Sequence, residues 1–222
     1  MRTKFKKWAV DYLVESTKNE FFVNDNEKSK IDEFINAKDT YLEIGPGKGQ
    51  FILSIASKYP HYNFIVIEIN KTIAGICLKK IDDSGLNNVR LIADDFYNFS
   101  KLIKPDSIKG IFLNFSDPWP KKRWIKFRLT SDKFLIEYSK ILVDKGIIYQ
   151  KTDNEGFFNY SYTNLIKYKW SLNNINLEYN DLVDFDASTE FETRYKNMGK
   201  KIYRLEAINT KDTIKELIKE SE

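Results

Sequence analysis

The 222-residue chain is poor in metal ligands and redox-active side chains, with one cysteine and one histidine. Cys77 has no second cysteine for an internal disulfide, and His61 alone cannot complete a Cys/His set for zinc. The first therefore reads as a small buried hydrophobe and the second as a surface loop residue, with no metal expected. No apolar run approaches the roughly 20 residues that cross a bilayer. The opening MRTKFKKWAVDYLVES also lacks the compact apolar stretch and small-residue cleavage site of a signal peptide. The expected location is the cytoplasm, away from membrane. Internal repeats, low-complexity blocks and interdomain linkers are missing too, and 42% hydrophobic residues suffice for one α/β core. One domain over 1–222 is expected, with a basic N-terminal extension over about 1–20 and a short C-terminal helix over about 211–222.

The net charge of +4 is modest, so its distribution is more informative than its total. Between Lys121 and Arg128 stand five basic residues and no acid, with Trp119, Trp124 and Phe127 among or beside them. Such a mixture suits phosphate contact combined with packing on bases or sugars. A plain solvated face is the competing reading.

Hydrophobic spacing gives the order of elements. Ile31, Phe34 and Ile35 recur at helical spacing, which predicts a helix from a cap at Asn24 or Asp25 to about Ala37. Five short β-branched runs follow: TYLEI (40–44), NFIVIEI (63–69), NVRLIA (88–93), IKGIFLNF (108–115) and KGIIYQK (145–151). Segments long enough for helices separate them, so the fold class is α/β, a Rossmann-like, doubly wound and mostly parallel sheet. NINLEYN (174–180) and KKIYRLEAIN (200–209) follow closely enough to read as antiparallel edge strands.

Ligands of an open α/β sheet sit beyond the carboxyl ends of its strands. The first strand runs into Glu43-Ile44-Gly45-Pro46-Gly47-Lys48-Gly49. Glycines at alternate positions let the backbone turn tightly and approach a ligand, and the next helix offers free N–H groups. A dinucleotide fingerprint needs glycine where Gln50 stands, which disfavours NAD. Glu68 ends the second strand, nineteen residues after Gly49, where a carboxylate can accept both ribose hydroxyls. Asp95, with Asp94 beside it, follows the third strand, where an adenine amino group would lie; a helix or turn cap is the alternative for this pair. The E-x-G-x-G-x-G loop resembles the first motif of class I methyltransferases.

The fourth strand leads into Asn114-Phe115-Ser116-Asp117-Pro118-Trp119-Pro120-Lys121-Lys122-Arg123-Trp124, in which two prolines stiffen the loop. This segment closely resembles the DPWPKKRH-like signature of the bacterial tRNA (guanine-N7)-methyltransferase family. Lys151-Thr152-Asp153 and Thr189-Glu190-Phe191-Glu192, similar to that family's T-x-[FY]-E element, extend the resemblance over roughly residues 40–208. It implies an S-adenosylmethionine-dependent enzyme that methylates N7 of guanine in tRNA, at position 46 of the variable loop. Cofactor contacts are implied for Glu43, Gly45, Gly47, Gly49, Glu68, Asp95 and Asp117, and substrate contacts for Lys121, Asp153, Thr189, Glu190, Phe191 and Glu192. Arg123, Lys126 and Arg128 are expected on the RNA backbone, and Asp117 and Asp153 near the chemistry. The sequence departs from the family at Ser116, where many members have proline. It departs again at Trp124-Ile125-Lys126-Phe127, which replaces a more basic, histidine-containing stretch.

N7 carries a lone pair and no proton, so alignment matters more than a general base. A carboxylate could stabilise the cationic product ring, or accept from guanine N1–H and the N2 amine together. A class I methyltransferase acting on another RNA or a small molecule, and a non-catalytic RNA-binding module, remain the alternatives.

Overall fold

A computed structural model describes residues 4–16 and 27–210. The expected caps at Asn24 or Asp25 and the helix beyond Lys211 lie outside the described residues. The chain forms two compact units, one running up to Lys104 and including Val183–Glu190, the other comprising Pro105–Leu182 and the chain from Phe191 onward.

In the first unit the elements are α1 (Lys7–Glu15), α2 (Lys28–Ala37), β1 (Thr40–Ile44), α3 (Gln50–Lys58), β2 (Asn63–Ile67), α4 (Lys71–Ser84), β3 (Val89–Ile92) and α5 (Phe96–Ser100). The strands run parallel in the order β3-β2-β1, with Ile44 opposite Ile67 and Ile67 opposite Ile92. Every residue of β2 is buried, as a strand covered on both faces requires. Sequence punctuation sets the helices: Asn70 accepts the N–H groups of Thr72 and Ile73 at the start of α4, and Gly85 ends it in the left-handed region at φ 70°.

The second unit contains β4 (Ile108–Asn114), a 3₁₀ turn at Lys122–Phe127, α6 (Asp132–Ile141), β5 (Leu142–Thr152), α7 (Glu155–Lys167), β6 (Ser171–Asn176), all but the first residue of α8 (Glu190–Asn197) and β7 (Tyr203–Ile208). Its strand order is β4-β5-β7-β6, parallel for β4 and β5 and antiparallel beyond. The expected α/β class, mostly parallel with an antiparallel edge, is therefore observed. Asn114 pairs with Lys151, so β4 and β5 end side by side.

Several element boundaries differ from the sequence reading, and those of β6 and β5 come with a register change. β6 starts at Ser171 rather than 174, and its register shifts where Asn174 adopts φ 47°. Asparagine tolerates that region, and a bulge is common on an exposed edge strand. β5 begins at Leu142, upstream of the Gly146 neighbourhood, with a register irregularity against Ile108–Gly110. No described helix is long and apolar enough to cross a membrane.

The expected N-terminal extension also holds structure: α1 buries Ala9 and Leu13, and Tyr12 and Ser16 donate to the Asp82 carboxylate of α4 at 2.7 and 2.8 Å. Close approach depends on Gly75, where an added Cβ would lie 1.8 Å from the carbonyl oxygen of Ala9. Alanine is favoured over glycine inside a helix by about 1 kcal/mol. Overpacking against backbone costs about 1–3 kcal/mol and should win. Gly75→Ala is expected to lower the urea midpoint; a midpoint at or above wild type would show that α1 is not held against α4.

Candidate active site

In the first unit, the functional candidates gather where β1, β2 and β3 end. Gly45, Gly47 and Gly49 all have positive φ, at 77°, 58° and 83°. Nothing lies within 4 Å of where a Cβ would project at Gly45 or Gly47, so this stretch of backbone is open to a ligand. Gly49 also serves packing, since a Cβ there would meet the Cys77 sulfur at 2.8 Å. No side chain caps α3, which leaves its first-turn N–H groups to other partners.

Glu43 is only 1% exposed, and Glu68 is buried as well. Burial pushes the Cys77 thiol well above its ordinary range, and the negative charges of Glu43 and Glu68 push it further in the same direction. Both carboxylates stand at the carboxyl ends of the paired strands β1 and β2, from which the glycine loop also departs. Glu68 Oε1 accepts the Asn70 N–H at 2.8 Å, which fixes its orientation. Asp95 accepts the Tyr97 N–H at 2.7 Å and caps α5, while Asp94 accepts from Asp95 N and from Asn98. Capping thus holds this acid pair in place at the end of β3.

Thr189 is buried, and Glu190 ion-pairs with Lys48 of the glycine loop at 3.2 Å and Lys80 at 3.6 Å. Lys48 is a member of the site that sequence reasoning missed. Its partner lies 142 residues away, beyond the reach of any local pattern.

In the second unit, Asp117 is exposed on a loop whose backbone is left-handed at Phe115 and Trp119, φ 51° and 41°. Such residues cost on the order of 1–3 kcal/mol each and persist only where surrounding contacts determine them. Phe115 N–H donates to the Lys151 carbonyl at 2.8 Å. Arg128 secures the other side, donating from Nε to the Pro118 carbonyl at 2.8 Å and from Nη2 to that of Trp119 at 3.3 Å. Its guanidinium also lies 4.5 Å from the Tyr160 ring centre, and the residue is 9% exposed. Arg128, expected on the RNA backbone, is thus largely buried and directs its Nε and Nη2 donors onto the loop that it supports.

Lys121, Arg123 and Lys126 do face solvent. Lys121 and Arg123 lie over the Trp124 ring at 4.7 and 5.1 Å, and Lys126 over Phe127 at 5.3 Å. Trp119 meets Trp124 edge-on and packs against Phe127, so a ring cluster carries the cations.

Asp153 follows β5 directly and precedes Asn154, the cap of α7, which fixes where its side chain starts. It is partly exposed, with Lys200 at 3.5 Å. Glu192 differs from expectation. It is 0% exposed and ion-pairs with Lys151 and Lys196, each at 2.8 Å, beside the Tyr179 ring. Glu192, expected to contact substrate, is thus placed where its carboxylate joins α8 to β5. Among the described residues no cluster of three or more His, Cys, Asp or Glu could hold a metal ion.

Truncating one partner of a buried ion pair strands the other, at about 3–5 kcal/mol. Glu192→Ala should therefore lower stability to urea by that amount, and Lys151→Met by less, because Lys196 still neutralises Glu192. Wild-type stability in Glu192→Ala would restore Glu192 as a surface-acting residue.

Comparison with known proteins identifies the family and the fold. The family model described as "Putative methyltransferase" matches residues 37–205. A tRNA (guanine-N(7)-)-methyltransferase of Staphylococcus saprophyticus is 38% identical over 209 residues, covering 93% of this chain and 99% of its own. One from Staphylococcus haemolyticus is 39% identical, covering 93% and 97%. Among solved structures, a variant of the 16S rRNA (adenine(1408)-N(1))-methyltransferase from Catenulisporales acidiphilia, solved with its cosubstrate SAM, has the same fold. It is 10% identical with a TM-score of 0.62, covering 84% of this chain and 93% of its own. A SAM dependent methyltransferase from Aquifex aeolicus is 16% identical with a TM-score of 0.54, covering 93% of this chain and all of its own. With relatives this similar over nearly their whole length, the chain belongs to the tRNA (guanine-N7)-methyltransferase family.

Proposed function

We propose that this chain transfers the methyl group of S-adenosylmethionine to N7 of a guanine in tRNA, at the variable-loop position, in the cytoplasm, with both units acting as one methyltransferase domain. The observation that carries this reading is the loop from Asp117 to Arg128. An exposed carboxylate and four exposed cations, Lys121, Lys122, Arg123 and Lys126, stand on a stretch of backbone locked from behind by Arg128. A methyltransferase for small molecules has no need of such a basic, ring-supported surface.

The residues at the ends of β1, β2 and β3 fit the cofactor. Open backbone at Gly45 and Gly47 leaves room for close approach, and Glu43 and Glu68 are buried carboxylates, the second oriented by the Asn70 N–H. Glu68 would accept the ribose hydroxyls, Asp95 the adenine amino group, and Asp117 the methionine ammonium. S-adenosylmethionine, when bound, supplies a sulfonium methyl whose C–S bond breaks as the N7 lone pair forms the new bond, so that positive charge passes from sulfur to guanine. The protein's part is to align and to neutralise. Alignment alone can supply about 7–11 kcal/mol, and Asp153 would face the charge that grows on the ring. Lys121, Arg123 and Lys126 would meet phosphates.

Incubation of the purified chain with labelled cofactor and unmodified tRNA, followed by mapping of 7-methylguanosine, tests the reading. Label at the variable-loop guanine is expected; cofactor binding without transfer to tRNA would overturn it. Asp153→Asn keeps shape but removes charge, and one preorganised electrostatic contact is worth about 10²–10³ in rate. Single-turnover methyl transfer should slow at least about tenfold, with tRNA affinity changed much less. A wild-type rate would remove Asp153 from the chemistry. Replacing Lys121, Arg123 and Lys126 together by alanine should reduce the slope of log affinity against log salt by up to about three, near one per lost phosphate contact. An unchanged slope would mean that these cations only face solvent.

A further inference from the structure

Three rings of the second unit meet where β4 and β5 end. Phe115 and Phe191 are stacked, with centroids 6.4 Å apart and planes 24° from parallel, and Tyr195 lies 6.0 Å from each. Phe191 and Tyr195 are four residues apart on α8 and so share a face. The group is fixed through one residue: the Lys151 carbonyl accepts the Phe115 N–H, while its ammonium pairs with Glu192, the neighbour of Phe191. Yet Phe191 is 50% exposed, a large ring that folding leaves uncovered. Beside it, Lys200 Nζ sits 4.4 Å from the Tyr195 ring centre and 3.5 Å from the Asp153 carboxylate, with its side chain 47% exposed.

We propose that Phe191 and Tyr195 form the face on which the target guanine stacks, and that Lys200 marks the place where this face and Asp153 together favour a positive charge. The inference rests on the methyl-transfer reading and adds a substrate subsite to it. A purine of any charge can stack on an aromatic ring. Methylation at N7 makes the guanine ring cationic, and an aromatic face attracts a cation. Contact with these rings therefore strengthens as charge develops, which is the condition for accelerating the step rather than merely holding substrate. Asp153 supplies the opposite charge, and Lys200 shows that a cation is accommodated between the acid and the ring. The exposed Phe127 ring and the half-buried Trp124 ring already carry lysine and arginine side chains, whereas the exposed Phe191 ring packs with the Phe115 and Tyr195 rings.

The test compares Phe191→Leu, which keeps apolar bulk but loses the π-face, with Phe191→Trp, which enlarges the face. Single-turnover methyl transfer to tRNA should slow by about tenfold or more in the leucine variant, while the tryptophan variant stays near the wild-type rate. In parallel, calorimetry with 7-methylguanosine monophosphate and guanosine monophosphate reads the face without turnover. Wild type should prefer the cationic nucleotide, and Phe191→Leu should lose that preference. A leucine variant at the wild-type rate, a tryptophan variant as slow as leucine, or no preference for the cationic nucleotide in wild type would overturn the stacking face. Failure of wild type itself to methylate tRNA would strike the methyl-transfer reading, and the nucleotide measurement would still decide on the face.

Discussion

Parallel strands paired in register end together, and most of the candidate site depends on that constraint. Ile44, Ile67 and Ile92 lie in one row across β1, β2 and β3, so the glycine loop, Glu68 and Asp95 all leave the sheet at the same edge. Asn114 and Lys151 form the corresponding row across β4 and β5, from which the Asp117 loop and Asp153 depart. Hydrogen bonding of a parallel ladder has no regard for chemistry, yet it collects residues far apart in sequence to within a strand spacing or two of one another. Burial along β2 and β4, strands covered on both faces, keeps water from competing for the ladder that sets this row.

Lys151 is the point at which this geometry becomes rigid. Its carbonyl holds Phe115 in the left-handed region, and its ammonium is buried against Glu192. A buried ion pair is a poor source of net stability, since desolvation takes back most of the Coulombic gain. Its value lies in direction. A hydrophobic replacement could fill the volume, but it would not specify which turn of α8 faces β5, and Phe191 and Tyr195 take their places from that choice. Arg128 performs the same service for the far side of the Asp117 loop, where two backbone carbonyls and a tyrosine ring together define the guanidinium position. Positive φ at two non-glycine residues is tolerable because both flanks are tied.

The sheet was legible in the sequence because each strand is a short β-branched run between turn residues, and the acids at strand ends could be found by counting from the glycines. What periodicity could not reveal was the destination of individual charges. Arg128 looks like the other cations in its run, and only folding shows its donors turned inward on Pro118 and Trp119. Glu192 looks like a polar residue in a motif, but its partners Lys151 and Lys196 lie on β5 and one turn along α8, and the longer of those links is invisible to local spacing. The bulge at Asn174 likewise follows from edge-strand geometry rather than from any break in hydrophobic pattern. Helix α1 was obscured by its basic, aromatic composition, since its burial depends on Gly75 far downstream.

Ring and charge are combined differently at the two aromatic groups of the second unit, and the difference suggests a division of labour. Around Trp124 and Phe127, flexible lysine and arginine side chains lie over the rings while remaining exposed. Their charges are therefore available to a phosphate chain, whose binding is sequence-independent and weakens as salt rises. Beside Tyr195, Asp153 and Lys200 are paired with each other, so each offsets the other's field on a phosphate. That environment discriminates instead by where charge sits on a flat ring, a property that changes during methyl transfer itself. Affinity for the RNA and acceleration of the reaction can then be carried by different residues, and a chain with fewer cations in its 124–127 segment can give up some of the first without losing the second.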